Sequence, residues 1–348
     1  MSVSATAFEY YYPERGSYNN LKIHEVQIPK PKGSEVLVKV HAVSLQFRDL
    51  AISDFRYPLA APPHNLVPCS DMAGEVISVG EEVTGWKQGD RICSNFSTDH
   101  LYGDTTEAVQ QTSLGGQTQG VLTEYRIFPA HALVKFPDHL TYEEASTLPC
   151  ATLTAYNALN GPTPVKAGDY VLVLGSGGVS IAGLQLAIAS GATVIATSSS
   201  DEKLKVAKSL GAKHTINYKK NSNWHEEVLK FTNGAGVDHV IEVGGYGTLD
   251  KSINCTRIGG SIHIVGFVSG GTPSDFLFPV ITKAISLRGI YIGSVHQFKE
   301  LNRLISANPT ITKPVVDKVF PWSEAKEAFA YLESQQHVGK VVIKVGKD

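Results

Sequence analysis

Charge of one sign, clustered cysteine and long apolar runs are what this sequence lacks. Lys+Arg 31 against Asp+Glu 33 leave a formal charge of -2 over 348 residues, which excludes a strongly basic nucleic-acid surface. The four cysteines, Cys69, Cys93, Cys150 and Cys255, form no close pair, so neither a thiolate zinc knuckle nor a disulfide framework is indicated, and a reducing compartment is favoured. No stretch is apolar for long enough to span a membrane, and the opening MSVSATAFEYYYPERG has no basic segment followed by an apolar one. The expectation is a soluble cytoplasmic protein whose partners are neither nucleic acid nor membrane. Gly 32 and Pro 17 are not massed into linkers but punctuate short segments throughout, as many strands and turns would require.

What is present divides into two patterns. In the first third, EVLVKVHAVS and DMAGEVISVG are Val-rich and strand-length, and GEEVTGWKQGD reads as a turn into a further strand. The polar SNFSTDHLYGDTTEAVQQTSLGGQTQG is expected to be a long surface excursion over a cleft, and TYEEASTLPCATLTAYNALN a short turn and one helix. From Asp169 the rhythm becomes strand, helix, strand: DYVLVLGS, GVSIAGLQLAIASG, TVIATSSS, DEKLKVAKSLG and onward. Such alternation predicts an α/β unit with a mostly parallel sheet covered on both faces. Near the end, SEAKEAFAYLESQ is a helix that Ser323 can cap, with Ala328, Phe329 and Leu332 facing a core. The strand GKVVIKV is expected to return to the first domain, making that domain discontinuous.

The strand-to-helix turn LVLGSGGVSIAG carries Gly175, Gly177, Gly178 and Val179. Glycines there let the backbone turn tightly and approach a pyrophosphate at the helix N-terminus. The strand before, the helix after and the second strand at TVIAT supply the context that the motif needs. The third glycine of the pattern falls at Ser180, a small hydroxyl. Past the second strand stand Ser198 and Ser199 rather than an acidic residue, which favours the 2'-phosphate of NADPH over the free 2'-hydroxyl of NADH. Lys203 can add charge or be a solvated helix residue; Tyr218 can cover the adenosine or be a surface ring. Val243, Gly244, Val265 and Phe267 follow strands on the side of a parallel sheet where cofactors bind.

Those residues, with AVSLQFRDL, LVPCSDMAGEVISVG, GDRI, LPCATLTAY and GKVVIKV, resemble the medium-chain dehydrogenase/reductase superfamily, most closely its zinc-independent quinone-oxidoreductase-like branch. The resemblance covers essentially the whole chain. It implies a GroES-like, β-rich catalytic domain (1–149 and 315–348) plus a Rossmann doubly wound parallel-sheet domain (150–314) with an active cleft between them. It also implies a homodimer meeting at the sheet edge around GGSIHIVGF and SLRGIYIG. Thr154 matches a position that contacts the nicotinamide region, and Val295 replaces the Arg of a GSR pattern.

At the places where zinc alcohol dehydrogenases of the superfamily hold the metal, this chain has Gln46, Ser70 and Cys150, with Asp71 at the position of a Glu. Amide and hydroxyl are poor zinc ligands, and no cysteine follows Cys93 in the lobe that would hold structural zinc; the expectation is no metal, with Cys150 a buried small residue. Without an electrophilic metal, alcohol oxidation is disfavoured. Hydride transfer to a quinone or α,β-unsaturated carbonyl asks less, because the substrate itself takes up the charge. The resemblance places Gln46 to orient a carbonyl, Ser70 to donate a hydrogen bond, and Asp49 in chemistry or in holding its loop. The expected activity is thus an NADPH-dependent reductase of quinones or enones. A ketone or aldehyde reductase and a non-catalytic NADPH-binding protein are the alternatives.

Overall fold

The Val-rich and alternating segments form strands in the computed structural model, which describes residues 6–60, 62–272 and 275–346. The first five residues of the opening segment read above lie outside the described residues. In the first part of the chain the elements are β1 (Thr6–Tyr11), β2 (Lys22–Gln27), β3 (Glu35–Ser44), α1 (Phe47–Ser53), β4 (Asp71–Val79), β5 (Arg91–Ser94), α2 (Glu107–Gln110), β6 (Tyr125–Pro129), β7 (Leu133–Lys135), α3 (Tyr142–Ala145) and α4 (Leu153–Leu159). The alternating part gives β8 (Tyr170–Leu174), α5 (Gly178–Ala189), β9 (Thr193–Ser198), α6 (Asp201–Ser209), β10 (His214–Asn217), α7 (Trp224–Phe231), β11 (Val237–Glu242), α8 (Leu249–Cys255), β12 (Thr256–Ile264), α9 (Leu277–Thr282) and β13 (Ser286–Gly289). The chain continues through α10 (Val295–Ala307), β14 (Val316–Pro321), α11 (Ala325–Glu333) and β15 (Lys340–Lys344).

Two compact units result, one of Met1–Leu153, Gly293–Ser306 and Val316–Asp348, the other of Thr154–Ile292 and Ala307–Val315. Gly293–Ser306, expected in the second unit, groups with the first because its polar groups are satisfied there. The Val295 and His296 N–H groups donate to the carbonyls of His100 (2.8 Å) and Leu101 (3.0 Å), and Asn302 Nδ2 donates to Lys135 O (2.7 Å).

The first unit is GroES-like: a hairpin of β1 and β2 and a seven-stranded sheet in the order β14-β15-β3-β4-β5-β7, with β6 also on β3. Alternating side chains of its strands bury Val36, Val38, Met72, Val76, Ile92 and Ile343 in one core with Ala328 and Phe329 of α11. Ser323 does not cap α11. It lies in a 3-10 turn, Trp322–Glu324, and Glu324 is the residue before the helix, since Pro321 starts a tight turn that consumes the capping position. The single helix expected over 142–159 is three pieces: α3, a π-turn Leu148–Thr152 containing Pro149, and α4; proline lacks the N–H that a continuous helix would use there.

The second unit is Rossmann-like, six strands all parallel in the order β10-β9-β8-β11-β12-β13. Leu172, Ile195, Val240 and Ile262 from the strands pack with Val228 and Ile253 from the helices. The helix expected over GYGTLDKSINCTRIG, through Gly259, stops at Cys255, and Thr256 already begins β12. Within this sheet His239 and His263 stack (5.4 Å between centroids) and His239 Nδ1 lies 3.2 Å from His263 Nε2, while His239 Nε2 is 3.5 Å from Asp169 Oδ2. A carboxylate only accepts, so His239 presents its Nε2–H to Asp169 and accepts at Nδ1 from His263 Nε2–H.

Burial first, then the neighbouring charges of His239 and Arg288, push the His263 pKa down to about 3. The unfolded chain binds that proton near pH 6.5 and the folded one does not, so stability is full above pH 6.5 and falls as the pH is lowered. Between pH 6.5 and 5 the loss from His263 is about 2 kcal/mol. Denaturant unfolding at pH 7 and pH 5 should show His263→Gln losing that much less than wild type. An unchanged pH dependence would refute the assignment.

Candidate active site

In the first unit the sheet register assembles a buried polar cluster. Ser44, at the end of β3, pairs with Asp71, the first residue of β4, and with Val342 of β15. The chain then passes through Gln46 into α1, where Asp49 in the first turn accepts a hydrogen bond from the Gln46 N–H (2.7 Å). Asp71 accepts three bonds: from Ser70 Oγ (2.6 Å), from Cys150 N (3.1 Å) and, very short, from Gln46 Nε2. Its approach strand is held by close backbone packing. A Cβ on Gly115 or Gly120 would lie 2.4 or 2.3 Å from the carbonyl oxygen of Cys69, itself left-handed at φ 69.

All members of this cluster are buried: Ser70 and Asp71 at 0%, Asp49 at 1% and Gln46 at 8% exposure. Desolvation raises Asp49 to about 7 and Asp71 to about 6, the latter opposed most by the positive charge of Lys340. Asp49 Oδ1 has no hydrogen-bond partner among the described residues. Burial also pushes the Cys150, Cys69 and Cys93 thiols up, which keeps them protonated. Ser70 thus spends its hydroxyl proton on Asp71, and Cys150 contributes its backbone N–H.

A zinc ion does not fit these side chains. The donors at the four matching positions are an amide, a hydroxyl, a protonated thiol and a carboxylate, and the amide and the hydroxyl both donate to that carboxylate. His100 and His131 are engaged elsewhere, with Gly103 O (3.0 Å) and Asp99 Oδ1 (2.8 Å).

Arg48 reaches from α1 into the polar excursion, donating to Leu114 O (2.9 Å), with its guanidinium over the rings of Tyr57 and Phe96. Of the aromatic residues in these segments, Phe96 is buried, whereas Phe55 and Tyr102 are exposed.

In the second unit, β8 runs into Gly175 (φ +76) and Gly177 precedes α5. A Cβ on either would meet nothing within 4 Å, so the turn leaves an open cradle in front of the free N–H groups of the helix. Gly178 and Val179 form the first turn of α5 and are half-buried. Ser180 fits by donating its hydroxyl to Leu174 O (2.6 Å). The close helix-to-strand contact falls instead at Gly183, where a Cβ would lie 2.2 Å from Ile241 Cδ1. Thr154 Oγ1 is buried with no partner among the described residues. These features fit a dinucleotide.

Asn217 of β10 pairs with Ser198 of β9, and Tyr218 N donates to Ser198 O (3.1 Å), which brings Ser198, Ser199 and Tyr218 to one end of the sheet. Ser198 is buried, Ser199 and Lys203 are half-buried and Tyr218 is exposed. The first acid beyond β9, Asp201, is bound by Asn217 Nδ2 (2.7 Å) and Lys220 Nζ. At the next strand end, buried Glu242 accepts from Gly244 N (2.8 Å), Gly245 N (3.1 Å) and the hydroxyls of Thr248 and Ser252. That carboxylate fixes the Val243–Gly244 loop, which in turn holds the segment of Val265 and Phe267 through Val268 N to Val243 O (3.2 Å) and Ser269 N to Gly244 O (2.9 Å). Phe267 is exposed and Val295 is buried in α10. Sequence reasoning missed Glu242, Gly183 and Lys340.

Residues 32–138 match the alcohol dehydrogenase GroES-like domain and residues 178–307 the zinc-binding dehydrogenase family. With its GroES-like and Rossmann-like units, the chain belongs to the medium-chain dehydrogenase/reductase superfamily of NAD(P)-dependent oxidoreductases, which act on small molecules. It is 47% identical over 343 residues to a zinc-type alcohol dehydrogenase-like protein of Schizosaccharomyces pombe (96% of this chain, 98% of that one). It is 32% identical over 349 residues to the 2-methylene-furan-3-one reductase of Solanum lycopersicum (99% and 80%). A solved structure from Sinorhizobium meliloti 1021 superposes with a TM-score of 0.92 at 36% identity, covering 99% of this chain and 100% of that one.

Proposed function

We propose that the protein is an NADPH-dependent reductase of quinones or α,β-unsaturated carbonyl compounds that works without zinc. The observation that carries this reading is the network of Gln46, Ser70 and the Cys150 N–H on Asp71, which puts an amide and a hydroxyl, both poor zinc ligands, where the superfamily's alcohol dehydrogenases hold the metal. A substrate that delocalises its own developing charge suits such a site. The bound nicotinamide supplies the hydride. Gln46 orients the substrate oxygen, with Asp49 and Ser70 supporting it through the loop and through Asp71. For an enone, hydride adds at the β-carbon and a solvent proton at the α-carbon. The reductase activity named for the tomato relative, on an exocyclic enone, is in keeping with this.

NADPH rather than NADH is favoured by the serines that follow β9 and by Asp201, whose carboxylate is committed to Lys220 and Asn217. Gly175, Gly177, Gly178 and Val179 would cradle the pyrophosphate, Ser198, Ser199, Lys203 and Tyr218 the adenosine end, and Thr154, Val243, Gly244, Val265 and Phe267 the nicotinamide end. A homodimer is favoured by the exposed apolar face of α9, where Leu277, Phe278 and Ile281 are each more than 60% exposed, and by the free edge of β13. Four buried, unbridged cysteines suit the cytoplasm. Among the described residues no helix is long and apolar enough to cross a membrane.

Incubation with a conjugated enone and either nucleotide, with products identified by mass and retention time, tests the reading. The saturated ketone is expected, faster with NADPH. An allylic alcohol would instead support the carbonyl-reductase reading, which the alcohol dehydrogenase-like relative favours. Turnover of neither enone nor quinone would leave a non-catalytic nucleotide binder, and a monomeric mass by light scattering would overturn the dimer.

A further inference from the structure

Lys340 is a lysine with only 6% of its surface exposed, at the first position of β15. Its Nζ donates to the carbonyl of Leu45, the residue before Gln46. The register explains the arrival: Leu45 N donates to Val341 O (2.9 Å), Val342 pairs with Ser44, and Ser44 pairs with Asp71. The ammonium therefore enters the cluster from a third strand. Its charge acts most strongly on Asp71, then on Cys150, Asp49 and Cys69; Arg48 is the other cation acting on Asp49, Cys150 and Cys69. A buried ammonium is costly unless its hydrogens find acceptors, and the Leu45 carbonyl supplies one.

We propose that Lys340 is a positioning residue for the reaction: its ammonium, held on the Leu45 carbonyl, fixes the backbone from which Gln46 projects, and Asp71, accepting from Gln46 Nε2, fixes which way that amide points. A carboxylate can only accept, so the NH2 of Gln46 turns toward Asp71 and its Oε1 turns away. Held as it is, Gln46 keeps one N–H and acceptor capacity at Oε1 for a ligand. A carbonyl oxygen accepts from that N–H. When a quinone takes up hydride and a proton to become a hydroquinone, the new hydroxyl can donate to Oε1 without rotation of the amide. This inference rests on Gln46 being the residue that orients the substrate oxygen.

The test uses the full-length protein with 15N-labelled glutamine, the Gln46 NH2 pair being assigned by its loss in Gln46→Leu. In wild type this pair should exchange slowly with solvent and be shifted downfield. Lys340→Met should abolish both features and Lys340→Arg should restore them. In parallel, Lys340→Met should lower kcat for enone or quinone reduction about 10- to 100-fold with an unchanged KM for NADPH, and Lys340→Arg should recover most of it. An unaltered Gln46 signal in Lys340→Met would overturn the proposal, as would an unaltered kcat. If Lys340→Met does not fold, Asp71→Asn, which retains the lysine, decides: a wild-type Gln46 signal there also overturns it. Should wild type reduce neither substrate class, the functional reading fails while the spectrum still decides the role of Lys340.

Discussion

Gly177→Val should leave the protein as stable as wild type and cripple nucleotide binding, while Gly183→Val, six residues along the same segment, should do the reverse. A side chain at Gly177 points into open space, so nothing in the fold has to move. That space is where the pyrophosphate would meet the first N–H groups of α5, and branched carbons there would block one or two charge-assisted hydrogen bonds. The dissociation constant for NADPH should rise roughly 100-fold, about 2.7 kcal/mol. At Gly183 the new Cβ would sit 2.2 Å from Ile241 Cδ1, forcing helix and strand apart. Overpacking of this kind costs about 1–3 kcal/mol. Calorimetry on the apo proteins and fluorescence titration with NADPH measure the two effects. A large fall in melting temperature for Gly177→Val, or unimpaired binding by it, would show that the cradle does not take the phosphates.

Glu242→Ala should be among the most destabilising single changes in the second unit. It removes a fully buried carboxylate and leaves two backbone N–H groups and two hydroxyls without their acceptor, for a loss of about 3–5 kcal/mol. Glu242→Gln separates packing from charge. Its carbonyl oxygen can take the place of Oε1 before Gly244, Gly245 and Thr248, and its NH2 can donate to Ser252, whose hydroxyl turns to accept; the loss should be only about 1 kcal/mol. Urea unfolding of both variants measures this. Equal losses for Gln and Ala would mean that the negative charge matters more than the hydrogen-bond count. Because the loop it holds continues into Val243 and Gly244, NADPH should also bind more weakly to Glu242→Ala.

How much of this was legible in the sequence follows from how local each interaction is. The glycine turn, the helix after it and the apolar face of Ala328, Phe329 and Leu332 are set by residues within a few positions of one another, so pattern reading finds them. GKVVIKV could be read as a returning strand because it is a short apolar run in a segment, after Lys313, that resembles the β-rich front part more than the parallel sheet. Its lysine could not be read as part of the site, because a lysine at a strand end is ordinarily solvated, and only a register between strands some 300 residues apart puts Lys340 beside Leu45. Glu242 was hidden for a similar reason: an acid at the end of a parallel strand looks like a surface residue until the glycines and hydroxyls after it fold back. Ser70 was read as a donor to substrate, yet its neighbour Asp71 is the nearer acceptor. Gly183 differs again, since a helical glycine gives no hint of which strand residue it faces; Ile241 lies in a strand nearly 60 residues on.

The place of β15, between β14 and β3 inside the first unit's sheet, has a consequence for biosynthesis. All six strands of the second unit leave the ribosome before residues 340–344 do, so that sheet can close while the Ala42–Ser44 end of β3 still lacks its β15 partner. During that interval the nascent first unit is a template for wrong strand pairing and a natural client for chaperones. On the role proposed for Lys340, the site too is incomplete until the strand that seals the sheet arrives.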